Sequence, residues 1–378
     1  LSGITTNAVT AAFDGNGTFT GNLGTAVVTV GDGNTLTATA AVVTGKTINE
    51  ADGTNATTTI TALHSTLAAN LSGITTNAVT AAFDGNGTFT GNLGTAVVTV
   101  GNNNTLTATA AVVTGKTITE AAETNATTTI TALHSTLAAD LSGIDTNAVT
   151  AAFGGNGTFT GDLGTAVVTV ADNVSLTGAA NKLVGHTINK SGTGDNNGAI
   201  VVTLNAAADT AVDLTQLTGN AAITSITAAD SFTFTGTLHG TTATTIADGV
   251  NLTTTAAKAA GKTISDGTDT GTVTLTALHS TLGADLSGVD ANTVTAAFDG
   301  NGTFTGDIGN AVVTVGNGNT LTTTAAKASG KTINEAGGTD ATTTITALHS
   351  TLAANLSGIT TNAVTAAFGG NGTFTGDL

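Results

Sequence analysis

The chain has 378 residues with 8 basic and 25 acidic side chains, a net charge of −17, and no Pro, Cys, Met, Trp or Tyr. Without Cys there is no disulfide, metal thiolate or thiol nucleophile. With every basic residue a lysine and Phe the only aromatic, there is neither the basic cluster that neutralises phosphates nor the aromatic platform that stacks on bases, so nucleic acid is excluded as a partner.

Only 9% of the residues are charged and 40% are hydrophobic, the reverse of a disordered chain. The apolar residues are mostly Ala, Val, Leu and Ile, slim enough to fill a narrow core. No apolar run is long enough for a membrane-spanning helix, so the sequence spans no membrane in that way.

In chain order, TAVVTV (Thr25–Val30), NTLTATA (Asn34–Ala40) and ATTTITAL (Ala56–Leu63) are short, rich in Thr, Val and Ile, and partly alternating. That pattern predicts half-buried strands. DGNG (Asp14–Gly17) and GDGN (Gly31–Asn34) separate them, with residues that tolerate positive φ and make tight corners. Leu63, Leu67, Leu71 and Ile74 also fit a short helix by spacing; Ser72–Gly73 and the β-branched neighbours favour extended chain.

The elements recur. LSGITTNAVTAAF begins at Leu1 and Leu71 and returns in variant or identical form at Leu141, Leu286 and Leu356. The intervals are equal except the one from Leu141 to Leu286, which is long enough for two units. That long interval hides a divergent copy beginning at Leu214. The chain divides into repeat units 1–70, 71–140, 141–213 (divergent), 214–285 (divergent) and 286–355, with a partial unit 356–378. It starts and stops inside a repeat, which points to an excerpt of a longer polypeptide.

Within a unit, GTFTG, NTLTA, GKTIN and STLAA each centre one large apolar residue, Phe19, Leu36, Ile48 and Leu67 in the first copy. Strands this short are unstable alone; stacked about 4.8 Å apart they pair their backbones and share one core. The expected fold is all-β, an elongated tandem-repeat β-solenoid (parallel β-helix) with three to four rungs per unit. Its rod would be on the order of 80–100 Å long.

TALHSTLAADLSGI, AAFDGNGTFTGDLGTAVVTV and LTATAAVVTGKTI resemble the degenerate β-strand repeats of very large bacterial surface proteins. Giant adhesins, surface-layer-like proteins and haemolysin-type repeat proteins exported by type I systems are of this kind. The resemblance covers the whole chain and rests on composition and repeat style. It implies an extracellular or cell-surface array that serves structure or adhesion.

Calcium is the ligand with the strongest claim. Gly154–Gly157 match the glycines of the nonapeptide calcium repeat, but Phe159 stands where its Asp should be. Asp14, Asp84 and Asp299 flank the equivalent corners. Calcium needs six to eight oxygens, so plain turns are favoured over ion sites. The recurrent GKT lacks the first glycine of a phosphate loop, because Ala40, Ala110, Ala256 and Ala325 occupy that place. These lysines then protect rung edges or offset acidic charge.

His64, His134, His279 and His349 hold one place in their units, read as surface-pointing corners about 20 Å apart in a straight stack. No carboxylate recurs beside them to orient an imidazole. Sequons place glycosylation candidates at Asn16, Asn86, Asn156, Asn301 and Asn371, relevant only where a glycosylation pathway exists. Thr18–Thr20 and Thr35–Thr37 could form the hydroxyl ladders of an ice-binding solenoid, a reading that the uneven rung intervals weaken.

The residues therefore point to a structural rod, filament, sheath or surface-layer element with no enzymatic site and no required cofactor. Its expected partners are copies of itself, end to end or laterally, and a cell surface or glycan. The alternative is the stalk of a large adhesin with calcium-responsive repeats.

Overall fold

The computed structural model describes every residue except 2, 5–7, 54, 122–124, 193–197, 268–269 and 339. It is all-β, a β-solenoid of about 16 turns built from parallel sheets. The chain divides into two compact units. One comprises Leu1–Thr177, Gly185–Ala199 and Thr218–Ala222; the other comprises Gly178–Val184, Ile200–Leu217 and Ile223–Leu378.

In the first unit each turn lays down two strands and one side of bends or short helix. Thr10–Phe13, Val27–Val30, Ile48–Glu50 and Ile74–Thr75 stack as one parallel sheet. Gly17–Phe19, Thr35–Thr39, Thr57–Thr61, Ala78–Phe83, Val97–Val100, Ile118–Glu120 and Ile144–Asp145 form a second. A third begins at Gly87–Phe89 and continues through Thr105–Thr109, Thr127–Thr131, Ala148–Phe153, Val167–Val170 and Ile188–Lys190.

The second unit repeats this plan. Phe232–Thr233, Asn251–Thr255, Thr272–Thr276, Thr293–Phe298, Val312–Val315, Ile333–Glu335 and Ile359–Thr360 stack in register beside Gly302–Thr303, Thr320–Thr324, Thr342–Thr346 and Ala363–Ala366.

Alternation explains the strands. Val28 and Val30 are buried while Val27 and Thr29 face out; Leu36 and Ala38 are buried while Thr35 and Thr37 face out. The core is filled mostly by Ala, Val, Leu and Ile, and Phe83, Phe89, Phe153 and Phe159 are among its largest fully buried side chains. Of the sequence-derived centres, Leu36 and Ile48 are buried and Leu67 is half-buried. Threonines also enter the core, Thr58 and Thr76 among them: Thr76 Oγ1 donates to the Ala78 carbonyl at 3.0 Å and lies within hydrogen-bond distance of Thr58 Oγ1, at 2.9 Å. Buried hydroxyls need such partners.

The corners follow from turn chemistry. Gly33, Asn103, Asn173 and Gly318 share one corner position and all have φ between 59° and 72°, a region open to Gly and accessible to Asn. Gly91 is required for a different reason: a Cβ there would collide with the Ala69 carbonyl of the preceding turn. The stretch around Leu63–Ile74 holds a single 3-10 turn, Leu63–Ser65, and is otherwise extended or bent. The chain reverses there through Ala62 in the left-handed region at φ 55°.

Candidate functional site

Asp14, Asp84 and Asp299 are exposed and sit in equivalent corners. Each lies over a glycine of the next turn, beside an asparagine. A Cβ on Gly101 would stand 3.0 Å from Asp84 Oδ1 and 2.7 Å from Asn104 Nδ2; on Gly316 it would meet Asp299 Oδ1 and Asn319 Nδ2 at the same two distances. On Gly31 it would stand 3.3 Å from Asp14 Oδ1 and 2.8 Å from Asn34 Nδ2.

In the third copy all three positions change together, to Gly154, Ala171 and Val174. The concerted change marks the Asp, Gly and Asn as one packing arrangement between turns. One carboxylate per corner falls far short of a calcium shell. Among the described residues no group of three or more His, Asp or Glu could hold a metal ion.

The sequon asparagines also join turns. Asn16 Oδ1 accepts from the Thr35 amide, Asn86 from Thr105, Asn156 from Ser175 and Asn301 from Thr320, each at 2.7 Å. Their side chains are exposed, as is that of Asn371. An oxygen that accepts leaves the amide nitrogen chemically separate, so the bond and a glycan on Nδ2 are compatible.

The histidines differ from the expected surface-pointing corners. His64, His134, His279 and His349 are half-buried. The first three present their rings edge-on to Phe83, Phe153 and Phe298, with centroids 6.3 Å apart. His134 Nδ1 accepts from the Gly154 amide at 3.2 Å, and His64 Nε2 shares a 3.2 Å bond with Ser65 Oγ. Nor do the copies form a straight stack, because His64 precedes a strand of the first sheet whereas His134 precedes one of the second.

Three of the four GKT lysines staple turns. Lys46, Lys116 and Lys331 donate from Nζ to the carbonyls of Gly24, Gly94 and Gly309 at 2.6 Å. Surface hollows of about 350 and 310 Å³ lie beside Lys46 and Lys116, the first floored by Gly21, Ala41 and Val42. Their one cation is already bonded. His186 replaces the lysine in the third copy; burial pushes its pKa down, while Asp162 pulls it up.

Sequence reading missed one residue of consequence. Asp209, in the divergent region, has no exposed surface. Its Oδ1 accepts from the Asn181 amide at 2.7 Å and its Oδ2 from the Asn205 amide at 2.8 Å. Only its charge in the otherwise small, uncharged run NAAADTAV (205–212) could have signalled it.

Outward-facing threonines form the most regular surface. Thr18, Thr37, Thr59 and Thr80 are direct neighbours on successive strands, flanked by the rows Thr35–Thr57 and Thr39–Thr61. Thr88, Thr107, Thr129 and Thr150 repeat the central row on the third sheet. Compared with known proteins, the chain matches no family model, no curated sequence and no solved structure.

Proposed function

We propose that the chain is a structural repeat element of an extracellular or cell-surface rod, filament, sheath or surface layer, with no catalytic role. One observation supports this most: side chains that could carry chemistry are used to join turns. The lysines staple carbonyls, the corner aspartates pack against Gly and Asn of the next turn, and the histidines lie against phenylalanines. What each repeat delivers is added length and a continued core. Association of copies, end to end or side by side, belongs to the same proposal.

The test is to insert a second copy of residues 71–140 after Asp140 and measure the maximum dimension by small-angle scattering. An increase of about 16 Å is expected from stacking at about 4.8 Å per turn. An unchanged dimension, or glycan cleavage abolished by mutating one acidic pair, would defeat the proposal.

The threonine rows favour a second reading, binding to ice. The uneven intervals that argue against it in the sequence arise from corners of unequal length, whereas the strands between them stay in register. Ice crystals grown in the protein solution should be reshaped, and Thr37→Lys with Thr59→Lys should weaken the effect without removing it, because the rows through Thr107 and Thr129 and through Thr253 and Thr274 remain. Unshaped growth at saturating protein removes this reading.

A further inference from the structure

The spacing of the repeats and the spacing of the turns do not match. Thr18 is directly below Thr37, Thr37 below Thr59, and Thr59 below Thr80. Three turns from Thr18 therefore end at Thr80, whereas the sequence equivalent of Thr18 in the next repeat is Thr88. The short segment left over carries the chain from Thr80 in the second sheet to Thr88 in the third.

Thr88 matches Thr18 in sequence, yet it opens a new sheet on the next side. The same offset recurs from Thr88 through Thr107 and Thr129 to Thr150, three turns again. The left-over segment then ends at Thr158, where Gly157–Phe159 opens another strand column. In the other compact unit Thr233, Thr253, Thr274 and Thr295 also make three turns, and Thr303 follows at the interval that separates Thr88 from Thr80.

The turn in the first unit has three sides. Gly87–Phe89 rests where bends ran before, since Thr90 donates its amide to the Leu67 carbonyl. Gly157–Phe159 does the same above Leu137, with Thr160 donating to the Leu137 carbonyl. After Gly157–Phe159 the chain returns to the second-sheet side, where Thr165 Oγ1 donates to the Ile144 carbonyl, and then to the third at Val167.

We infer that the sequence repeat is an indexing element worth three turns and one further side. It presents the same threonine rows, the same aspartate corner and the same histidine on the three sides in rotation. Identical surfaces return to one side only after three repeats. A lateral partner, including a second copy of this chain, therefore meets the same chemistry from any direction rather than along one stripe. Gain or loss of one repeat, which the near-identity of units 1–70 and 71–140 permits, turns everything beyond it by one side. The geometry is independent of the structural role proposed above, and failure of that role leaves it standing.

Spin labels on the full chain test it. Thr37 and Val97 lie in one row, three turns apart through Thr59 and Thr80, or about 14 Å along the stack. Thr37 and Thr107 are sequence equivalents on different sheets. The pair T37C/T107C should give a distance roughly 10 Å longer than T37C/V97C, because the labels point from different sides of a core about one sheet spacing thick. Equal distances, or a shorter T37C/T107C distance, overturn the inference. Should a label disturb the first repeat, T107C/V167C provides the same-row reference one repeat later, and it must match T37C/V97C.

Discussion

A regular corner and the divergent one solve the same problem by opposite means. In the regular copy, Ala132 takes φ 54° and leads into Leu133–Ser135, with His134 laid against Phe153. The strain of an alanine in the left-handed region is accepted, and the His134 and Phe153 rings fill the corner. In the divergent copy, no residue between Leu204 and Leu214 has positive φ. Instead the buried Asp209 gathers the amides of Asn181 and Asn205. One corner relies on backbone strain, the other on a buried side chain that accepts from two amides, so the solenoid constrains where the chain must go more tightly than how it gets there.

The largest break should come at Asp209. Asp209→Ala leaves two amides without their acceptor in a site that excludes water, and should destabilise by about 3 kcal/mol in denaturant unfolding. Asp209→Asn keeps one acceptor oxygen and should cost about half as much. A loss below about 0.5 kcal/mol for the alanine variant, on the order of an ordinary surface change, would mean that the carboxylate is not the corner's organiser.

The concerted set at Asp84, Gly101 and Asn104 offers a sharper test within the regular copies. Gly101→Ala alone should destabilise by roughly 1–2 kcal/mol, since its Cβ meets Asp84 and Asn104 closely and overpacking is costly. Adding Asp84→Gly and Asn104→Val reproduces the third copy, where Ala171 is accommodated, and should recover most of the loss. Recovery would appear as coupling energy in a mutant cycle; simple additivity would show that the three positions change independently.

Much of the fold was legible because the periodicities are strong. Thr, Val and Leu alternate through TLTAT and VVTV, and Gly or Asn marks the Gly33 and Asn103 corners, so strands and turns follow from local chemistry. Three features were not legible. The left-handed alanines break the rule that reserves such positions for Gly and Asn, and only tertiary packing holds them there. The histidines look solvent-directed because their phenylalanine partners lie in the next turn, Phe83 for His64 and Phe153 for His134. The shift of one side per repeat arises because three turns from Thr18 end at Thr80, short of the equivalent Thr88, which only the strand register reveals. The candidate calcium corners were legible as turns, but their coupling to Gly and Asn needed the stacked neighbours.

A smaller effect, of opposite sign, is expected at the strained alanine. Ala132→Gly removes the Cβ that disfavours φ 54°, a cost of about 1–2 kcal/mol for an L-residue. Greater freedom in the unfolded chain offsets part of the relief, leaving a net stabilisation of about 0.5–1 kcal/mol. Gly substitution in a strand would destabilise, so the sign alone in thermal or denaturant unfolding decides whether strain is stored there.

The smallest effect separates the regions by pH. His239, near the divergent corner, accepts at Nδ1 from the amides of Thr242 and Thr241 at 3.1 and 3.4 Å. Burial, then the Lys262 charge, holds its pKa below the ordinary imidazole value; burial does the same for His186. A histidine depressed in the folded state takes up its proton more readily when unfolded. Its contribution is therefore present above about pH 6.5 and is lost as pH falls through the folded value. Asp213 and Asp285 are depressed chiefly by the hydroxyls of Thr215 and Ser287. They lose their contribution lower, beginning near about pH 4. Stability should thus decline in two stages on acidification. His186→Asn with His239→Asn should flatten the upper stage and leave the lower one intact. An upper stage unchanged in the double variant would overturn the assignment to His186 and His239.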